Sequence, residues 1–136
     1  MTILVTGAAG FIGMHVAAAL LERGDAVIGL DNLSDYYDPS LKQARVERLK
    51  RYPGFRFERV DIASVDAVKG VFRSNPGIDR VVHLAAQAGV RYSLTHPEAY
   101  IQTNLVGHFN ILEACRHHRG LQHLRSEEHT SELQSR

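Results

Sequence analysis

Three glycines, Gly7, Gly10 and Gly13, stand in the string Gly7-Ala8-Ala9-Gly10-Phe11-Ile12-Gly13, and an acidic residue, Asp31, follows 18 positions after the last of them. Each glycine has a physical task in a loop that approaches an anion. Gly7 permits a tight turn out of a strand, Gly10 lets main chain come close to a pyrophosphate with no Cβ in the way, and Gly13 lets helix and sheet pack closely. If a helix begins at the end of this loop, its unpaired N–H groups and the positive end of its dipole face the same anion. A carboxylate about 20 residues further on accepts hydrogen bonds from the hydroxyls of an adenosine ribose and repels a 2′-phosphate. No Arg or Lys lies at 8–14 or 32–34. The pattern therefore points to NAD in preference to NADP, provided that a strand precedes the loop and a helix follows it.

The surrounding sequence supplies those elements. Thr2 to Thr6 is a short β-branched run, and Phe11 to Arg23 places Phe11, Ile12, Val16, Leu20 and Leu21 at helical spacing. Gly24 stops that helix, and Ala26 to Leu30 reads as a buried strand, which closes a βαβ unit of about 30 residues and makes the two strands parallel. Residues 32–39 read as a loop. Ser40 to Arg51 reads as a charged helix with Leu41, Ala44 and Leu49 as its apolar seam and its charges as a solvated face. Pro53-Gly54 breaks it, Phe55 to Val60 alternates as a strand, and Ser64 to Arg73 fits a helix with Val65, Val68, Val71 and Phe72 inward. A turn at Asn75-Pro76-Gly77 leads to a fourth strand over Asp79 to Ala85. Pro97 opens a long helix to about His118, with Ile101, Leu105, Leu112 and Cys115 on one side. Strands and helices alternating at these lengths define an α/β fold, the N-terminal part of a Rossmann-type doubly wound parallel sheet.

Composition agrees with one domain and excludes several classes. A chain of 136 residues is too short for two independent cores, and 44% hydrophobic with 23% charged residues is a globular balance. No run approaches the roughly 20 apolar residues of a membrane span, and the apolar stretches do not suit a secretory leader, so the chain reads as cytoplasmic. A net charge of +1 with interspersed signs implies neither nucleic acid nor an anionic membrane as partner. The single cysteine, Cys115, cannot form an internal disulfide, and the eight histidines show no metal-ligand spacing. His83, mid-strand, reads as a hydrogen-bonded core residue and Cys115 as packing. After Gly120, Leu121 to Leu124 suits the start of a fifth strand. The string RSEEHTSELQSR at 125–136 then holds one aliphatic residue and no strand pattern, and it looks like a translated sequencing-library adapter. The expected division is a domain at 1–124 and a non-native tail at 125–136.

Beyond the glycine loop, TGAAGFIG, Asp31-Asn32, Asp61-Ile62, HLAAQAGVRYS at 83–93 and NLVGHFNILEACR at 104–116 resemble the extended short-chain dehydrogenase/reductases, the NAD-dependent sugar epimerase/dehydratase family. Within it, DNLSDYYDPSLKQAR and HLAAQAGVRYS look like the UDP-glucuronate 4-epimerase branch. The resemblance covers nearly all of residues 1–124. It implies that Gly7, Gly10, Phe11, Ile12 and Gly13 cradle the pyrophosphate, that Asp31 and Asn32 hold the adenosine ribose, and that Asp61 and Ile62 meet the adenine. Asp61 has a second reading, a carboxylate at the start of the helix that follows Ser64. Leu84, Ala85, Ala86 and Gln87 would floor the cofactor's ribose and phosphates. Asn104 would contact the nicotinamide half or serve the structure by pinning the fourth strand's end. Arg91 would hold a phosphate or carboxylate of a nucleotide sugar, its other reading being a solvated loop cation.

The same resemblance implies transfer of a hydride from C4 of the nucleotide sugar to NAD, and its return to the opposite face of a 4-keto intermediate. Family members use a Tyr-x-x-x-Lys pair whose tyrosine removes the sugar hydroxyl proton. No such pair is present: Tyr36, Tyr37, Tyr52, Tyr92 and Tyr100 are followed four residues on by Ser40, Leu41, Arg56, His96 and Asn104. Catalytic roles therefore carry over to no residue, and the chain itself is expected to be inactive. Three functions stay open: the N-terminal part of a sugar-nucleotide 4-epimerase, that of a 4,6-dehydratase, and a non-catalytic dinucleotide sensor. The partners implied are a nucleotide sugar and, through the long helix, a second copy of the chain.

Overall fold

The computed structural model describes residues 1–33, 39–85, 95 and 97–126. Its elements follow in the order β1 (Thr2–Thr6), α1 (Phe11–Glu22), β2 (Ala26–Asp31), α2 (Pro39–Leu49), β3 (Phe55–Arg59), α3 (Val65–Ser74), β4 (Ile78–His83), α4 (Pro97–Ile101), a π-helical segment (Gln102–Gly107), α5 (His108–His117) and β5 (His123–Ser126). The five strands form one sheet in the order β3-β2-β1-β4-β5, and every neighbouring pair is parallel. The chain winds outward from β1 first toward β3 and then, across the sheet, toward β5. The direction reverses between β1 and β4, the point at which open sheets of this kind form a crevice beyond the carboxyl ends of the strands.

Alternation along β1 divides the core in two. Ile3 and Val5 face α1 and α2, where they pack with Ala8, Met14, Ala17, Leu21, Val27 and Leu49. Leu4 faces the other way, with Ile28, Leu30, Val68, Val71, Phe72, Val81, Ile111 and Cys115. Both faces of the sheet are thus covered by helices, as an all-parallel sheet requires.

Several expected faces are rotated. In α1 the buried stripe is Gly13, Met14, Ala17 and Leu21, whereas Phe11 and Ile12 are 65% and 61% exposed. These two residues form the first turn, which stands above the sheet at the crevice and not upon it. In α2 the inward positions are Lys42, Arg45, Val46 and Leu49, with Leu41 and Ala44 exposed, so part of the charge faces inward. Val65 is exposed because it directly follows Ser64, whose hydroxyl caps α3 by accepting the Ala67 N–H at 3.3 Å. The long helix contains a π-helical turn, which shifts the register of the side chains beyond it. Ile101, Leu105 and Leu112 are exposed and do not share the buried side of Ile111 and Cys115.

The fifth strand runs His123–Ser126, two residues past the break expected at Leu124. Parallel pairing with β4 matches Val82 with Arg125 and His83 with Ser126, and it needs only main-chain groups. His83 is fully buried and bonded to Thr6 at 2.7 Å, in keeping with a core role. Among the described residues no helix is long and apolar enough to cross a membrane, and no cluster of His, Cys, Asp or Glu could hold a metal ion.

Burial pushes the Cys115 thiol from 9.0 up to about 11. The unfolded chain would therefore lose this proton first as pH rises. Stability from the buried neutral thiol is complete below about pH 9 and falls away as pH climbs toward 11. Alkylation at pH 8 should leave Cys115 unmodified in the folded chain and label it rapidly in urea, as mass spectrometry would show. Rapid labelling without denaturant would contradict this packing.

Candidate functional site

Main-chain hydrogen bonds fasten the glycine loop to the end of β2. The N–H groups of Gly7 and Ala8 both donate to the Leu30 carbonyl, at 2.7 and 3.1 Å. The next N–H, of Ala9, donates to Asp31 Oδ2 at 3.0 Å. Three successive amides are thus held by two residues of a neighbouring strand. Asp31 Oδ1 accepts the Leu33 N–H at 2.8 Å, and the residue is buried.

The three glycines converge on one carbonyl. Gly10 N–H donates to Gly7 O at 3.0 Å, and a Cβ on Gly10 would lie 3.2 Å from that same oxygen. A Cβ on Gly13 would overlap the Gly7 oxygen outright, so the close approach at Gly13 is between helix and loop, and the sheet is not its tightest neighbour. Gly7 has φ +74°, and a Cβ there would meet Ala85 N at 2.8 Å and Leu84 O at 2.9 Å. The loop therefore touches the end of β4 at the reversal point of the sheet. The first bond reaching into α1 is Met14 N–H to Gly10 O at 2.9 Å, so the amides of Phe11, Ile12 and Gly13 precede the helical ladder at its positive end. A diphosphate fits this donor set chemically: it needs N–H donors and close main-chain approach, and both are present.

Opposite the loop, Thr6 organises the end of β4. Its hydroxyl accepts the N–H groups of Leu84 and Ala85, each at 3.0 Å, and lies 2.7 Å from His83 Nδ1. The two accepted bonds leave the hydroxyl proton for the ring nitrogen, which fixes Nδ1 as the acceptor. Leu84 and Ala85 are half-buried at the crevice. Ala86, Gln87 and Arg91 lie outside the described residues.

Asp61 is exposed, and its Oδ1 accepts the Ala63 N–H at 2.9 Å while Ser64 provides the cap of α3. Asp61 thus stands just ahead of α3, whose cap is Ser64. Ile62 is 4% exposed and turned toward Gly107, where an added Cβ would come within 2.5 Å of its Cγ1. The Ile62 carbonyl accepts Asn110 Nδ2 at 2.8 Å, so contact of Ile62 with a base would fall to main chain and a small side-chain edge. Asn104 is half-buried within the π-helical segment, an irregularity common at binding sites. Asn32 is half-buried beside Asp31, its carbonyl accepting Arg59 Nε at 3.3 Å.

Four residues at the site escape sequence reasoning: Thr6, Lys42, Arg45 and Asn110. Arg45 Nη1 donates to the Ala9 carbonyl at 3.1 Å, and its guanidinium lies 5.9 Å from the centre of the Phe11 ring. Lys42 Nζ is 3.7 Å from Asp31 Oδ1. Their signal is the spacing Lys42, Arg45, Val46, Leu49, a helical stripe whose cationic end points at the loop. The tyrosine whose side chain is described, Tyr52, donates to Glu22 at 2.8 Å, a bond that raises its pKa, contrary to the need of a phenolate base.

A family model described as GDP-mannose 4,6 dehydratase matches residues 4–132. The chain belongs to this family. It is 53% identical over 116 residues to UDP-glucuronate 4-epimerase 4 of Arabidopsis thaliana, covering 85% of this chain and 26% of that protein. It is 48% identical over 110 residues to UDP-glucuronate 4-epimerase of Thermodesulfobacterium geofontis (strain OPF15), covering 81% of this chain and 34% of that one. A crystal structure of a variant UDP-glucuronic acid 4-epimerase from Bacillus cereus, in complex with UDP-4-deoxy-4-fluoro-glucuronic acid and NAD, superimposes with a TM-score of 0.83 at 37% identity. That match covers 93% of this chain and 39% of the other. The chain thus spans between about a quarter and a third of the length of the relatives it matches.

Replacing Thr6 by valine would remove the acceptor of two N–H groups and the partner of a buried imidazole. Urea denaturation should show a loss of about 2–4 kcal/mol, from buried groups left unsatisfied. A loss under about 0.5 kcal/mol would mean that the hydroxyl does not hold the Leu84–Ala85 turn.

Proposed function

We propose that this chain is the NAD-cradling portion of a nucleotide-sugar 4-epimerase whose whole form interconverts UDP-glucuronate and UDP-galacturonate. The observation that carries the reading is the Asp31 carboxylate, held by the Ala9 amide at the corner where the glycine loop leaves β1. A carboxylate so placed accepts both hydroxyls of an adenosine ribose, while the amides that open α1 receive the diphosphate. The names of the relatives and the NAD in the Bacillus cereus complex support the choice of cofactor and sugar.

The proposed holders of NAD are Gly7, Gly10, Phe11, Ile12 and Gly13 for the diphosphate, Asp31 and Asn32 for the ribose, and Asp61 and Ile62 for the adenine. Leu84, Ala85, Ala86, Gln87 and Asn104 would line the remainder, and Arg91 would meet the nucleotide sugar. When bound, NAD supplies reversible hydride acceptance at C4 of the sugar. This chain's residues would bind and orient; none would move the hydroxyl proton, because no Tyr-x-x-x-Lys pair is present. Ile101, Leu105, Phe109 and Leu112 form an exposed apolar face on the long helix, which suits pairing of two copies in the whole enzyme. A 4,6-dehydratase is the second reading, favoured by the description of the matching family.

Calorimetry with the purified chain should show saturable heat on addition of NAD. Asp31→Ala should weaken that binding at least about tenfold, the loss of two charge-assisted hydrogen bonds. Undiminished affinity in this variant, or no heat with the parent chain, would overturn the reading. Incubation with UDP-glucuronate and NAD should give no epimerisation above the enzyme-free control, and turnover would overturn the assignment of the chemistry to residues outside this chain.

A further inference from the structure

We propose that Lys42 is a second determinant of cofactor choice: it balances Asp31 while the 2′ position bears a hydroxyl, and becomes the ligand of a 2′-phosphate when a neutral side chain replaces Asp31. The inference rests on the dinucleotide reading above. By sequence, the corner carries no cation, since none lies at 8–14 or 32–34. The fold brings three from elsewhere. Lys42 Nζ lies 3.7 Å from Asp31 Oδ1, with side-chain exposures of 12% and 6% for the two partners. Arg45, one turn along the same face of α2, holds the Ala9 carbonyl at 3.1 Å. Arg59, at the end of β3, holds the Asn32 carbonyl at 3.3 Å.

Against these three cations Asp31 is the anion of the corner among the described residues. Each of the two arginines is aimed at a main-chain carbonyl. Lys42 is aimed at the carboxylate, at a separation too long for a direct hydrogen bond, and an ammonium carries three donors. It can therefore keep its attraction to Asp31 and still offer a donor to an oxygen beside it. The pair is largely shielded from water, so solvent and salt screen it less than a surface pair. A 2′-phosphate entering here meets repulsion from one carboxylate and attraction from the surrounding cations. Rejection of NADP then rests on Asp31, acting as a repulsive element against the wrong ligand.

The test is a matrix of NAD and NADP dissociation constants for the 136-residue chain and its Asp31→Asn, Lys42→Met and double variants, at fixed ionic strength. Asp31→Asn keeps an acceptor for the Ala9 N–H and should strengthen NADP binding about tenfold or more, while adding Lys42→Met should abolish most of that gain. Lys42→Met alone should widen the preference for NAD over NADP about threefold or more, because only the carboxylate remains. Circular dichroism checks that each variant folds, and if Asp31→Asn does not, the Lys42→Met ratio decides alone. Equal NADP affinity in Asp31→Asn and the double variant, or an unchanged ratio in Lys42→Met, overturns the role of Lys42. A parent chain that binds neither nucleotide overturns the dinucleotide reading and this inference with it. A parent that binds NAD while Lys42→Met changes nothing overturns only the inference.

Discussion

The binding corner depends on the grip that the last two residues of β2 exert on the loop after β1. The Leu30 carbonyl takes two consecutive N–H groups and the Asp31 carboxylate takes the third. Parallel pairing aligns Thr6 with Leu30, so the register of β1 on β2 decides which amides arrive at which acceptor. A slip of one residue would turn Leu4 out of its core cluster and carry the glycines past the carbonyl on which they converge. The geometry of the cradle is therefore set by sheet pairing and hydrophobic burial, and not by the loop itself.

The opposite wall is built by a similar economy of polar groups. Thr6, the final residue of β1, uses one hydroxyl to fix the main chain after β4 and the ring of His83. Farther out, Asn110 grips the Ile62 carbonyl while Gly107 lets the helix approach the Ile62 side chain. The first contact ties the two strands at the reversal point to each other, and the second ties the helix after β4 to the segment after β3. Buried polar groups bonded in this way specify one arrangement more strictly than apolar packing alone.

The loop is legible in the sequence because its glycines report steric limits that act within a few residues. β1, β2 and β4 are legible because strands buried on both faces of a parallel sheet carry apolar runs; β3 shows by alternation, and β5 is legible only to Leu124 because its pairing past that point is main-chain. Helix faces are less so. Phe11 and Ile12 look like core residues by hydropathy, yet they open a helix at a crevice and stand clear of the sheet. The π-helical turn at Gln102–Gly107 shifts the register between Leu105 and Ile111, which a 3.6-residue period cannot anticipate. Lys42 and Arg45 read as solvated because charge is the local signal. Their inward orientation is set by Val46 and Leu49 docking α2, a tertiary constraint that spacing carries only faintly.

The most direct test of this account is an amide-resolved NMR titration of the chain with ADP-ribose, which carries the ribose and diphosphate without the nicotinamide. The cradle described here predicts that the largest shifts fall on the amides of residues 7–13 and 31–33, with smaller ones at 84–85. Shifts centred on the opposite end of the sheet, around Gly54 and Asn75, would contradict it, as would a spectrum that ADP-ribose leaves unchanged.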